Sequence, residues 1–213
     1  QTERLMEVCR MRDTPVIVFI NKMDREGQDA FDLLDEIEEK LQIKVRPMSW
    51  PIGIGATFQG VYNMFKKQLN LFSGNKTNIE KEVYEIEGLE DSKLESFIGE
   101  EETELLKEEV ELIDGVYDQF DQEKYLNGKL APVFFGSALN NFGVQELLDA
   151  FIEISPSPKG RESEKRAIEP IEKKFSGFVF KIHANIDPKH RDRIAFLRIV
   201  SGKFERNKFY LHT

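Results

Sequence analysis

The sequence predicts an α/β fold on a parallel sheet, with an inserted α+β subdomain and, beyond a hinge, the start of an antiparallel β-barrel. Three observations carry this. Val16-Ile17-Val18-Phe19-Ile20 and Pro132-Val133-Phe134-Phe135 are short apolar runs of the kind that forms strands buried on both faces of a parallel sheet. Each leaves through a polar turn into a stretch of helical periodicity, the alternation of α/β domains. Ser155-Pro156-Ser157-Pro158-Lys159-Gly160 then interrupts the chain, since no helix continues through it, and beyond it two runs alternate with period two.

In order, Gln1 to Arg12 reads as a helix with Leu5, Met6, Val8 and Cys9 at roughly helical spacing, ended by Asp13-Thr14-Pro15. Gln28 to Leu41 follows the first strand as an amphipathic helix with Phe31, Leu34, Ile37 and Leu41 inward. Val45 to Gly53 predicts one strand broken by prolines and glycine, Phe58 to Phe65 another. Lys66 to Thr77 predicts a strand and a turn at Ser73-Gly74-Asn75-Lys76, and Glu82 to Ile86 a further strand. Glu100 to about Phe120 is a long amphipathic helix on Leu105, Leu106, Val110, Ile113, Val116, Tyr117 and Phe120. Asp121 to Leu126 is a helical turn closed by Asn127-Gly128. Val144 to Ile154 is another helix, with Val144, Leu147, Leu148, Phe151 and Ile152 as its apolar face. A charged connector, Arg161 to Lys174, leads to Ser176–Ala184, with Phe178, Phe180 and Ile182 on one face, and to Ile194–Val200. Ser201-Gly202-Lys203 turns into a third strand. The expected organisation is a first domain over 1–154 with an insert at about 47–121, a linker over 155–175, and barrel strands over 176–213.

Composition narrows the function classes. No apolar run approaches the roughly 18–20 residues of a membrane span, and nothing at the start resembles a signal peptide. The single cysteine, Cys9, excludes an internal disulfide and fits a reducing cytoplasm. His183, His190 and His212 are scattered and make no metal constellation. The net charge of −9 is divided unevenly. Ile79 to Glu123 holds 18 acidic and 3 basic residues, whereas Ser176 to Thr213 holds 8 basic and 3 acidic, which points to different partners for the two regions.

The loops at the carboxyl ends of the two apolar strands sit where open α/β sheets place ligands. The first, Asn21-Lys22-Met23-Asp24, has the Asn-Lys-x-Asp form that reads guanine in GTP-binding proteins. The Asp24 carboxylate can accept from guanine N1–H and the 2-amino group together, a charge-assisted pair. The Asn21 amide can donate near N7 or tie neighbouring loops, and the Lys22 stem can lie along the purine face. Adenine has no donor for Asp24, and an unpaired buried group costs roughly 1–3 kcal/mol. The second loop is Gly136-Ser137-Ala138-Leu139. In GTPases a Ser-Ala turn of this kind supplies backbone N–H to guanine O6, while its hydroxyl braces the aspartate of the other loop.

The two motifs lie 113 positions apart (24 to 137), far beyond the roughly thirty residues of a crossover unit. Large translational GTPases of the elongation-factor-G kind carry such an insertion and then a β-barrel. Within that group the chain resembles bacterial peptide-chain release factor class 3. The resemblance rests on Arg12-Asp13-Thr14-Pro15, Phe19 to Arg25, Trp50-Pro51-Ile52-Gly53, Pro132 to Val144, Gly177 to Ile182, and Asp187-Pro188-Lys189-His190-Arg191-Asp192-Arg193 through Phe196. It covers nearly the whole chain and is weakest in the acidic insert.

The resemblance implies a cytoplasmic, ribosome-binding GTPase that helps recycle stop-codon-reading release factors. GTP or GDP would be held by Asn21, Lys22, Asp24, Ser137, Ala138 and Leu139. The expected partners are ribosomal RNA, stalk proteins and the release factors, with neither membrane nor DNA. No Gly-x-x-x-x-Gly-Lys-Ser/Thr pattern is present. The chain therefore reads as an internal fragment, the carboxyl-terminal half of a P-loop GTPase domain. Its phosphate loop, magnesium ligands and catalytic residue are expected upstream, so it should not hydrolyse GTP alone. The alternatives are an elongation-factor-G-like translocase and a non-enzymatic ribosome-interaction module.

Overall fold

A computed structural model describes residues 2–75, 78–184 and 193–211, and the side chains within them except those of 73–82. The chain divides into two compact units, Gln1–Ser155 and Pro156–Thr213.

The first unit is built on a three-stranded parallel sheet. Its middle strand is β7 (Leu130–Phe135), flanked by β1 (Val18–Ile20) and β2 (Lys44–Pro47). All six residues of β7 are buried, as a strand paired on both edges and covered on both faces requires. β1 departs from expectation in length and burial: it is three residues long and only Ile20 is fully buried. Its one paired edge is the one towards β7, and among the described residues no strand pairs with the other. Val16 to Phe19 are half-buried, the environment of an edge strand.

The helices largely follow the apolar periodicity. α1 (Thr2–Met11) buries Met6 and packs beside α2 (Ala30–Leu41), and Arg10 donates to the Leu41 carbonyl at 3.0 Å. α2 begins two residues later than its periodicity predicts because Asp29 caps it, accepting from the Phe31 N–H at 2.8 Å.

The stretch around Pro47 forms two strands rather than one. β2 belongs to the parallel sheet, and β3 (Ser49–Ile52) opens an antiparallel sheet, order β3-β4-β5-β6, with β4 (Gly60–Asn63), β5 (Gln68–Asn75) and β6 (Asn78–Glu85). β5 runs through Ser73 to Asn75, where a turn is expected, because the pairing with β6 extends to Asn75↔Asn78; Lys76 lies outside the described residues. The two sheets are joined along β7, where the Met48 N–H donates to the Val133 carbonyl (2.8 Å) and the buried Ser49 Oγ accepts from the Phe135 N–H (3.0 Å).

Trp50 is fully buried at this junction, with Phe31 at 4.7 Å and Phe135 at 5.2 Å between ring centroids. At roughly 25 cal/mol per Å² of apolar surface, one such side chain contributes on the order of 5 kcal/mol. Its indole N–H donates to Glu109 Oε2 at 2.7 Å, while burial pushes the Glu109 carboxyl up.

α3 (Lys93–Ile98), which the pattern does not reveal, precedes α4 (Glu100–Val116). α4 stops at Val116, short of Phe120, as Tyr117 turns extended. It buries Thr103, Leu106, Val110 and Ile113, leaving Leu105 and Val116 outside. Buried Arg46 reaches α4, donating to Asp114 Oδ1 at 2.6 Å and to the Tyr117 carbonyl at 3.3 Å. α5 (Gln122–Leu126) is capped by Asp121, and α6 spans Val144–Ile154 as its periodicity predicts. Its inner face is another matter: Glu146, Ala150 and Ile154 are buried, and Leu148, Phe151 and Ile152 are exposed.

The second unit contains two hairpins. β8 (Arg161–Glu162) pairs with β9 (Ala167–Ile168) inside the charged connector, and Arg166 grips Glu172 through both guanidinium nitrogens. β10 (Ser176–Ala184) pairs antiparallel with β11 (Arg193–Ser201). A register shift between Val179 and Lys181 breaks the expected alternation. Phe178 lies opposite Arg198 but Ile182 opposite Ala195, so Phe178 and Ile182 occupy opposite faces. No third strand follows among the described residues, and Lys189, His190 and Arg191 lie outside them.

Candidate functional site

Parallel pairing brings the two polar loops together. Ile20 and Phe135 are register partners, so Asn21 and Gly136 leave the same edge of the sheet side by side. The Gly136 N–H donates to the Ile20 carbonyl, and the Met23 N–H returns a bond to the Gly136 carbonyl, each at 3.0 Å. Lys22 crosses between them with φ of 72°, a left-handed conformation that a residue with a β-carbon rarely adopts and that costs on the order of 1 kcal/mol.

Asn21 is the knot. Its Oδ1 accepts from the Lys22 N–H and from the Ala138 N–H, each at 2.8 Å. The Ala138 amide, expected to face the base, is therefore engaged within the protein. Among the described residues no acceptor takes the exposed Leu139 N–H.

Asp24 meets the second loop through an intermediary. Asn140 Nδ2 donates to Asp24 Oδ2 at 3.0 Å and to Ser137 Oγ at 3.3 Å. The buried Ser137 hydroxyl thus reaches Asp24 through Asn140, whereas the resemblance implies a direct brace. Asp24 Oδ1 is buried and has no hydrogen-bond partner among the described residues. An ionised oxygen withdrawn from water and left unpaired is costly, by roughly 1–3 kcal/mol or more.

The second loop is closed tightly on itself. Ser137 and Phe142 exchange both backbone hydrogen bonds, at 3.0 and 2.9 Å. A β-carbon at Gly136 would sit 2.1 Å from the Phe142 carbonyl oxygen; one at Gly143, where φ is 71°, would sit 2.2 Å from that of Phe135. The insert supports both loops. The Gly55 N–H donates to the Met23 carbonyl at 2.9 Å, and Phe72 of β5 stacks on Phe142 at 3.8 Å between centroids.

A cavity of about 490 Å³ is lined by Asn21, Lys22, Met23, Arg25, Glu26 and Ile54, and neither Asp24 nor the Ser137–Leu139 turn lines it. Among the described residues no group of three His, Cys, Asp or Glu could hold a metal ion, and no helix is long and apolar enough to cross a membrane. Sequence reasoning singles out Asn21, Lys22, Asp24, Ser137, Ala138 and Leu139 and assigns nothing to Asn140 or to the Phe72–Phe142 stack. In the run Leu139-Asn140-Asn141, one asparagine is indistinguishable from a turn residue.

Two known families match the chain. The family model of the elongation factor Tu GTP binding domain matches residues 1–157, and that of elongation factor G domain 2 matches residues 174–213. The first match covers well over half of the chain. The chain belongs to the translational GTPases of the elongation factor Tu and elongation factor G kind.

Proposed function

We propose that the two loops form the guanine-reading part of a GTP site, with Asn21, Lys22 and Asp24 on one side and Ser137, Ala138 and Leu139 on the other. The observation that carries this is the buried, unpaired Asp24 Oδ1 between two loops tied by the Asn21–Ala138 bond. A carboxylate oxygen so placed calls for donors, and guanine N1–H with its 2-amino group supplies two. The free Leu139 N–H suits O6. Asn21 Nδ2 has no acceptor among the described residues and suits N7.

The finer reading is a class 3 peptide-chain release factor that binds GTP with magnesium in the cytoplasm, docks on the ribosome and promotes recycling of stop-codon-reading release factors. Resemblance over Asp187-Pro188-Lys189-His190-Arg191-Asp192-Arg193 supports that choice over a translocase. None of these 213 residues forms a Gly-x-x-x-x-Gly-Lys-Ser/Thr phosphate loop, and the reading assigns the phosphates and magnesium to none of them. The chain alone should then bind GDP no better than about millimolar, since the phosphate cradle supplies most of the affinity. Calorimetry giving a micromolar constant would overturn this. The acidic face of α4 is assigned to a stalk protein and the basic residues Lys189, His190, Arg191 and Arg193 to ribosomal RNA. Arg191→Ala with Arg193→Ala should flatten the salt dependence of ribosome binding by about one log–log unit per lost phosphate contact.

The base reading is tested by Asp24→Asn in the full-length natural protein. The amide donates to the xanthine C2 carbonyl, so competition binding should show preference moving from guanine to xanthine nucleotides. An unchanged guanine preference removes Asp24 from this role.

A further inference from the structure

A carboxylate on a loop rotates about its last side-chain bond, so a base-reading aspartate needs something to fix its plane. Among the described residues no backbone amide donates to Asp24 Oδ2; the donor is the Asn140 carboxamide, 116 residues away in sequence. Its NH₂ group has two hydrogens. One meets Asp24 Oδ2 at 3.0 Å and the other Ser137 Oγ at 3.3 Å, and Ser137 is itself buried. The chain Ser137–Asn140–Asp24 therefore runs from a fixed buried hydroxyl to one oxygen of the carboxylate and leaves the other, Oδ1, unpaired.

We infer that Asn140 is a positioning residue for guanine selectivity, holding the Asp24 carboxylate so that its oxygens meet the N1–H and 2-amino donors together. The inference rests on the base reading above. The choice of a neutral donor is part of it. A lysine or arginine here would neutralise Asp24 and compete with the base for it, whereas an amide orients the carboxylate and leaves its full charge available. The role is also one of direction and not of shape. Asn140→Asp keeps the size of the side chain but turns donors into a charge that repels Asp24, while Asn140→Ala only removes the brace.

The test is competition binding of GDP against inosine diphosphate, which lacks the 2-amino group, in the full-length natural protein and its variants. Asn140→Ala should narrow the GDP-over-inosine-diphosphate preference by about fivefold or more, the scale of weakening one charge-assisted hydrogen bond. Asn140→Asp should narrow it further. A residue that merely packs the loop would give the reverse order, with the isosteric aspartate the milder change, and would weaken both nucleotides alike. Either of those results overturns the inference. Asp24→Asn in the same assay separates the two levels. A switch to xanthine with an unaltered Asn140→Ala ratio sinks the role of Asn140 alone; a retained guanine preference in Asp24→Asn sinks the base reading, and this inference with it.

Discussion

β1 and β7 run side by side in the same direction, and each delivers one polar loop to the same edge of the sheet. Their surroundings differ. β7 is buried along all six residues and has strands on both edges, while β1 buries only Ile20 and is paired on one edge among the described residues. The loop after β7 is also the better supported, closed by the Ser137–Phe142 bridge and stacked against Phe72. The loop after β1 has a strained Lys22 and borrows its order through Met23, Asn21 and Asp24 from its neighbour. The difference teaches that β7 is the frame and β1 the dependent: damage at β7 should propagate to both loops, damage at β1 to one.

The largest effect expected is from Phe134→Ala. Phe134 is fully buried, so its removal should cost about 3–5 kcal/mol of unfolding free energy. Its register partner Phe19 is half-buried, and Phe19→Ala should cost roughly half as much. Chemical denaturation of the pair measures the asymmetry directly; equal losses would end the distinction between frame and dependent strand.

Next comes Ser49→Ala. The Ser49 hydroxyl continues the pairing of β7 past the end of β2 by accepting the Phe135 N–H. Its loss leaves a buried donor without a partner, at about 1–3 kcal/mol. Ser49→Thr keeps the oxygen and should recover part of the loss. A neutral Ser49→Ala would mean that β7 does not depend on this bond.

A smaller effect tests the tie between the parallel sheet and α4. Burial pushes the Asp114 carboxyl up, but the hydrogen bonds from Arg46 and Gln119 and the Arg46 charge outweigh it, holding it below the ordinary 3.8. A carboxyl depressed in the folded state stabilises fully above its unfolded value, and that stabilisation is lost as pH falls through the folded one. Stability should therefore decline below about pH 4 in part through this pair, by under about 1 kcal/mol because the carboxylate is half in water. Asp114→Asn should remove that portion of the acid dependence and leave the profile near neutral pH unaltered in shape.

Much of this contrast was legible in the sequence, and the failures have physical causes. The strand–loop–helix order and the bounds of α6 follow from apolar runs and periodicity, which are local properties. Which face of α6 turns inward was not legible. Leu148, Phe151 and Ile152 are the more apolar set, yet Ala150 and Ile154 with Glu146 lie inside, because packing against β7 admits a small residue at position 150. Five apolar residues from Val16 to Ile20 look the same in an edge strand as in a central one. Pairing is decided by partners elsewhere in the chain. The Asn-Lys-x-Asp and Ser-Ala loops stand out by their likeness to the motifs of GTP-binding proteins, but the Asn140 bridge exists only because the sheet brings positions 24 and 140 together.

The finest probe of the comparison is amide hydrogen exchange within β1. The Ile20 carbonyl accepts from Gly136, so Ile20 and, two residues back, Val18 turn their backbone groups towards β7. Phe19 lies between them and turns its N–H to the edge where the described residues provide no strand. In β7 the N–H groups from Val133 onward have neighbours on both sides: the Phe134 and Gly136 side faces β1, and the Val133 and Phe135 side faces β2 and the Ser49 hydroxyl. Phe19 should thus exchange orders of magnitude faster than Ile20, whereas Phe134 and Phe135 should be protected to a similar degree. Alternating protection in β1 beside uniform protection in β7 is the expected pattern. If Phe19 is as slow as Ile20, its edge is covered in solution, by a second copy of the chain or by another segment, and a concentration series separates the two, since only self-association makes the protection of Phe19 depend on protein concentration.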